Sequence, residues 1–320
     1  MMGAMGYGMD AMMQKMIISK MMSPYFKDAR EADDGSLTAR DLKRVQSYAQ
    51  LCPTTLGANY AILRGRSMTM EERAAQTLLG GVTPLYDDFF DRVDLSEDLV
   101  LKVTEAPHDC EPNNAREWMF IRYMRVLRHL AADIDTFLPQ FHEVYKSQLA
   151  SKQQERQNLD QASLKKILYE KGGHAALLFR VLLPDPLRDG EAEAMMQWGW
   201  VIQLLDDTFD VYEDHQEGIQ TLATTANSME EYAEFCYEEF RELAKRFRAI
   251  DYPKGRTNKA LNRMLFTICW GLVALEQFKK LPQKGHRFNP ADYERKQLIC
   301  DMDKTSNQLK GMAKYMGFKW

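Results

Sequence analysis

Eight stretches of this chain carry apolar residues at three- and four-residue intervals, and almost nothing in it alternates. They are 37–63, 71–93, 115–148, 163–183, 191–215, 230–250, 258–281 and 293–316. Side chains three and four positions apart share one face of a helix, so this period predicts amphipathic helices. The stretches are separated by helix breakers such as Ala106-Pro107, Glu111-Pro112-Asn113-Asn114, Pro184-Asp185-Pro186, Tyr252-Pro253-Lys254-Gly255 and Asn289-Pro290. No hairpin signal, solenoid-length repeat or linker interrupts the pattern. With 45% hydrophobic residues in 320 there is ample material for a large core. The expected fold is all-α: a single-domain helical bundle over residues 23–320, preceded by a Met-rich segment over 1–22.

Several function classes drop out on composition. With 42 Lys+Arg against 46 Asp+Glu the net charge is −4, which gives no global attraction to nucleic acid. No run approaches eighteen uninterrupted apolar residues, so no transmembrane segment is expected. Five scattered cysteines with no CxxC pair argue against a disulfide framework and a zinc-thiolate site, and favour a cytoplasmic setting. The six histidines form no HxxxH or HExxH grouping, and there is no Gly-rich phosphate loop or GxSxG elbow.

Nine of the first 22 residues are methionine, and Met2, Met5, Met9, Met12, Met13 and Met16 fall near helical spacing. Asp10 and Lys15 interrupt what would otherwise resemble a leader peptide. Two readings stand: an amphipathic helix packed on the body, or a flexible lid over an apolar pocket.

Two acidic motifs carry the chemistry. The first is Tyr86-Asp87-Asp88-Phe89-Phe90-Asp91, a DDxxD at the end of an apolar stretch. The second runs Gln203-Leu204-Leu205-Asp206-Asp207-Thr208-Phe209-Asp210-Val211-Tyr212-Glu213-Asp214. A four-residue interval puts Asp87 with Asp91, and Asp206 with Asp210 and Asp214, on single helical faces. Like charges so placed repel, and carboxylates among apolar neighbours such as Trp198-Gly199-Trp200-Val201-Ile202 are costly unless neutralised. A hard divalent cation, Mg2+, relieves both problems, since it takes carboxylate oxygens and commonly completes its shell with phosphate. The expectation is two or three Mg2+ held by Asp87, Asp88, Asp91, Asp206, Asp207, Asp210 and Asp214, with two Asp-rich helices facing one another across a bound diphosphate. The competing reading is a pair of solvated acidic helix ends.

Paired motifs of this kind, 119 residues apart from Asp87 to Asp206 on a helical chain, resemble the class I isoprenoid (terpene) synthases. The second motif is similar to that of the squalene/phytoene-synthase branch, with Asp206 where that branch has Asn and Asp207 as an added carboxylate. Glu170-Lys171-Gly172-Gly173-His174 is similar to a Lys-Gly-Gly segment of bacterial tetraprenyl-β-curcumene-type terpene synthases. The resemblance implies a central apolar pocket and Mg2+-dependent ionisation of an allylic prenyl diphosphate, and it leaves room for a homodimer. Asp91 is followed by Arg92-Val93-Asp94-Leu95-Ser96-Glu97 rather than an arginine pair, a departure from chain-elongating relatives.

Under this reading Lys171, Arg122 and Arg125 contact the diphosphate, and Gly172-Gly173 break or kink their helix to expose backbone amides. Phe90, Trp198, Phe209 and Tyr212 offer ring faces to a carbocation, with Gln203 in the second motif. Phe89 and Phe209, each inside a DDxxD, read equally as ordinary core. Thr83 and Gly80, one and two turns before Asp87, would leave room for a tail of C20 or longer. The resulting expectation is a terpene synthase releasing diphosphate and a cyclic or linear terpene. The alternatives are head-to-head condensation of two prenyl diphosphates and a non-catalytic isoprenoid-binding helical protein.

Overall fold

The computed structural model describes residues 2–32, 34–91, 97–155, 159–282, 285 and 287–318, and no strand occurs among them. The chain divides into two compact units, each assembled from two stretches. The first comprises residues 2–145 with 178–186, the second 146–177 with 187–320.

The first unit begins with α1 (Met2–Met21) and α2 (Ser23–Ala32). Helix α3 (Ala39–Cys52) starts at a capping box: Thr38 Oγ1 accepts from the Asp41 amide at 3.2 Å, and Asp41 Oδ2 accepts from the Thr38 amide at 2.9 Å. From Cys52 the chain passes through a π-helical turn (Pro53–Gly57) into α4 (Ala58–Arg64), where Gly65 at φ 78° ends it. Proline explains the turn. Pro53 has no N–H to give the carbonyl four residues back, Ala49. Gln14 of α1 supplies the donor instead: its Nε2 reaches Ala49 O at 3.0 Å and Thr77 Oγ1 at 2.6 Å, while its Oε1 accepts from Arg73 at 3.3 Å.

Gln14 and Ile18 of α1, and Met22 just beyond it, are buried at four-residue spacing. Helix α5 (Met70–Asp91) packs on α3, α6 (Glu97–Glu105) follows, and α7 (Ala115–Leu130) covers α5. Val45, Leu79, Val82, Leu85, Phe120 and Tyr123 fill the core between them.

The stretch 115–148 is two helices rather than one: α7, then α8 (Ile134–Ser151). Asp133 makes the break, accepting from the Asp135 amide at 3.1 Å and the Thr136 hydroxyl at 2.6 Å as a helix-starting side chain does.

In the second unit α9 (Gln161–Val181), whose last residues belong to the first unit, leads to α10 (Glu191–Phe209), α11 (Val211–Glu217), α12 (Met229–Ala249) and α13 (Lys254–Phe278). Trp198, Trp200, Phe240, Phe247, Ile268 and Leu272 form its core. The stretch 293–316 resolves into α14 (Arg295–Leu298) and α15 (Thr305–Gly317). Between them Asn307 Nδ2 holds the carbonyl of Asp301 at 2.9 Å. No described helix is long and apolar enough to cross a membrane.

Candidate functional site

The second acidic motif occupies the end of α10 and the start of α11. Asp210 stands at the junction with φ −96° and ψ 10°, yet the ladder continues through it: the Asp210 amide donates to Asp206 O at 2.9 Å and the Asp214 amide to Asp210 O at 2.8 Å. Asp206, Asp210 and Asp214 therefore keep the common side that their spacing predicts. Asp206 and Asp210 retain solvent contact, Asp214 is half-buried, and Asp207 is 3% exposed. Gln203 Nε2 donates to Asp207 Oδ1 at 2.7 Å, while Asp207 Oδ2 is buried with no hydrogen-bond partner.

All four carboxyls are pushed upward, first by withdrawal from bulk water and, for Asp207, Asp210 and Asp214, then by neighbouring carboxylates. Asp207 and Asp210 move to about 7 and Asp214 to about 9, and Asp206 is raised as well. Solvent contact at Asp206 and Asp210 moderates the burial cost there. Lys171 works in the opposite direction on Asp206, Asp207 and Asp214.

Lys171 is delivered by a helix crossing. A Cβ on Gly172 would lie 2.5 Å from the carbonyl oxygen of Gly199 and 2.8 Å from Gln203 Cβ, and one on Gly173 would lie 2.7 Å from Met196 Cε. The expected kink is therefore corrected: α9 runs unbroken through both glycines, which are small because α9 and α10 touch backbone to backbone. The crossing brings Lys171 toward the carboxylates without exposing amides.

The first motif divides. Asp88 is 2% exposed and fully engaged: Arg44 Nη1 donates to its Oδ1 at 2.8 Å and Arg116 Nη1 to its Oδ2. Arg116 also donates to Ser36 O at 2.8 Å and to Asp41 Oδ2 at 3.1 Å. Asp88 thus binds α3, α5 and α7 together instead of offering oxygens to a metal. Asp87, one residue earlier, is half-buried. The Asp91 side chain and residues 92–96 lie outside the described residues.

Other candidates separate in the same way. Arg125 gives Nε to Pro107 O at 2.9 Å and Nη2 to Cys110 O at 2.8 Å, so its donors close a turn rather than await a phosphate. Arg122 is exposed, with its guanidinium 5.3 Å from the Trp118 ring. Thr83 Oγ1 donates back to Leu79 O at 3.1 Å. Gly80 lines no cavity here: a Cβ would meet Tyr48 O at 2.7 Å and Ala49 Cα at 3.1 Å, so its smallness serves the α3–α5 contact.

Trp198 is fully buried with its Nε1 unpartnered, and Phe209 is half-buried. Phe90 packs among Tyr86 (5.1 Å) and Tyr145 (5.6 Å), and Phe89 joins the core against Phe120 at 4.9 Å. The Tyr212 face is taken by Arg295, 5.6 Å above it. A cavity of about 290 Å3 in the second unit is lined by Leu222, Ala226, Tyr232 and Phe235 with Lys165 and Glu231, none of them from either motif.

Among the described residues no three His, Cys, Asp or Glu side chains converge in ready ligating geometry. The donor chemistry of the second motif nevertheless suits a hard divalent cation: it has four carboxyls, one of them with an orphaned buried oxygen, and Lys171 opposes the charge of three of them, Asp206, Asp207 and Asp214. Sequence reasoning passed over Arg44 and reads Arg116 only as one of the basic residues of its helix; their pairing with Asp88, from 44 and 28 residues away, lies beyond any local pattern. Compared with known proteins, the chain matches no protein-family model and no curated protein.

Proposed function

We propose that the chain is a Mg2+-dependent terpene synthase that ionises an allylic prenyl diphosphate. The supporting observation is the second motif, where Asp206, Asp207, Asp210 and Asp214 crowd together with Lys171 beside them and an unpartnered Asp207 oxygen. So much like charge persists in a folded protein when a cation completes it. Bound Mg2+ supplies the charge neutralisation that makes diphosphate a competent leaving group. Asp206, Asp210 and Asp214 present oxygens from one side of the α10–α11 junction, and Gln203 fixes the orientation of Asp207. Lys171 adds a positive charge for the phosphate oxygens. In the first motif Asp87, with Asp91, carries the same assignment, and Asp88 is excluded by its two arginines.

With Gly80 committed to helix packing, the steric argument for a C20 or longer tail falls away, and chain length becomes a matter for assay. The test is incubation with Mg2+ and, separately, C15, C20, C25 and longer prenyl diphosphates, following diphosphate release and extractable hydrocarbon together. One substrate is expected to give both, and an Asp206→Asn/Asp210→Asn variant neither. Product from two joined chains would move the assignment to condensation. Silence across the series, with Mg2+ bound, would refute catalysis.

A further inference from the structure

Histidines that no sequence motif groups are brought together by the fold. A single 3-10 turn, Pro107–Asp109, follows α6 and sets His108 against the last turn of α7, where His129 stands. The two rings are 5.6 Å apart between centroids and inclined at 54°. Both residues are exposed, so the contact fills no core. His142 of α8 reaches the same stretch, its Nε2 lying 3.3 Å from Oε1 of Glu105. All of these residues belong to the first unit.

The placement is braced from behind. Arg125, one turn before His129, gives Nε to Pro107 O at 2.9 Å and Nη2 to Cys110 O at 2.8 Å, on either side of His108. Arg128, the residue before His129, gives Nη1 to Thr104 O at 3.2 Å and to Glu105 O. The backbone that carries one ring is therefore fixed to the helix that carries the other, which is the preorganisation a pair of ligands needs. The span is also right. A metal bonded to one nitrogen of each ring at about 2.0–2.1 Å, with a tetrahedral angle between the bonds, sets the ring centroids about 5 Å apart. Charge does not oppose it: the two guanidiniums are committed to carbonyls, and Glu105, Asp109 and Glu111 offset Lys102, Arg125 and Arg128. Cys110 is buried with its thiol donated to Ala106 O, which leaves imidazole as the ligand.

We propose that His108 and His129 together bind one divalent transition-metal ion of the zinc, nickel and copper group, which clips the 107–109 turn to α7. Imidazole suits these ions and not Mg2+, so the site is chemically separate from the carboxylates of α10 and α11. Among the described residues no third His, Cys, Asp or Glu converges on the pair, so water completes the shell and the ion is exchangeable. The inference rests on this pair and not on the catalytic reading.

The test is calorimetric titration of the untagged, metal-free full chain with Zn2+, in excess Mg2+ to keep carboxylate binding out of the signal. One Zn2+ site that depends on both histidines is expected. His108→Asn and His129→Asn should each weaken it about tenfold or more, a loss that even residues behind a metal ligand produce. His142→Asn should leave it unchanged. Cu2+ on the same protein should show nitrogen hyperfine splitting by electron paramagnetic resonance, which carboxylate ligation does not give. Circular dichroism of the metal-free variants should match that of the unmodified chain, since neither ring is buried. Absence of Zn2+ binding, binding that survives either replacement, an equal loss in His142→Asn, or a Cu2+ spectrum without nitrogen coupling would overturn the proposal. So would dimerisation driven by Zn2+ in sedimentation velocity, because the histidines would then serve two copies. The replaced residues lie outside both acidic motifs, so failure here leaves the proposed Mg2+ chemistry standing.

Discussion

Two aspartates of similar motifs do opposite things. Asp88 receives two guanidinium groups in a buried site, and removing it takes a carboxylate partner from each. Asp88→Asn is expected to cost about 3–5 kcal/mol in chemical denaturation, the usual consequence of breaking a buried pair from one side. Asp214 instead resists ionising: burial and its neighbours Asp207, Asp210 and Asp206 lift it to about 9 and leave it holding a proton. Asp214→Asn should therefore raise the Tm of the metal-free protein at pH 8 while reducing the stabilisation that added Mg2+ brings. That stabilisation grows with RT ln(1 + [Mg2+]/Kd) and reaches about 2.7 kcal/mol at a hundredfold excess over Kd. A Tm that ignores Mg2+ in the unmodified chain would remove the metal from this cluster.

At the scale of elements, two close approaches hold helices in register. Gly172→Ala places a methyl 2.5 Å from a backbone carbonyl that cannot rotate away. It should cost about 1–3 kcal/mol or more by denaturant titration, and it should weaken diphosphate binding through Lys171. Gln14→Ala removes the donor that Pro53 fails to provide, with an expected loss of about 1–3 kcal/mol. Helix existence was legible in the sequence, because period and breakers are local; 39–64, 70–91 and 229–249 fall within two residues of expectation. The break at Asp133 was not, because an aspartate that starts a helix looks like one on a solvated face. The face shared by Asp206, Asp210 and Asp214 followed from spacing. The roles of Asp88, Arg125 and Gly80 did not, because each is set by an element distant in sequence.

Across the whole molecule, titration should reflect two opposed populations of carboxylates. Burial works against the charge of Glu72, but hydrogen bonds from Arg66 and Arg64 overcome it and draw it down to about 2. Its contribution is complete above its ordinary value near 4 and is lost as pH falls through 2. The raised aspartates act the other way: the folded chain binds more protons than the unfolded one between about pH 4 and 9, so stability declines as pH rises through that window. Metal-free protein should accordingly be most stable near about pH 4, and Mg2+ should shift that maximum toward neutrality. A Tm that climbs steadily from pH 5 to 9 without metal would contradict this assignment.

The bracing of the first unit also bears on the order in which it can be completed during synthesis. Gln76 Nε2 takes its acceptor from Phe179 O, 103 residues later, and Arg64 takes Asp185, 121 residues later. A ribosome that has released α1 to α7 has therefore not yet delivered the segment that closes them. Until residues 178–186 emerge, Gln76 and the Arg64–Glu72 pair stand incomplete, and a nascent chain stalled before that point should be cut readily by protease. One extended past residue 186 by the length of the exit tunnel should resist.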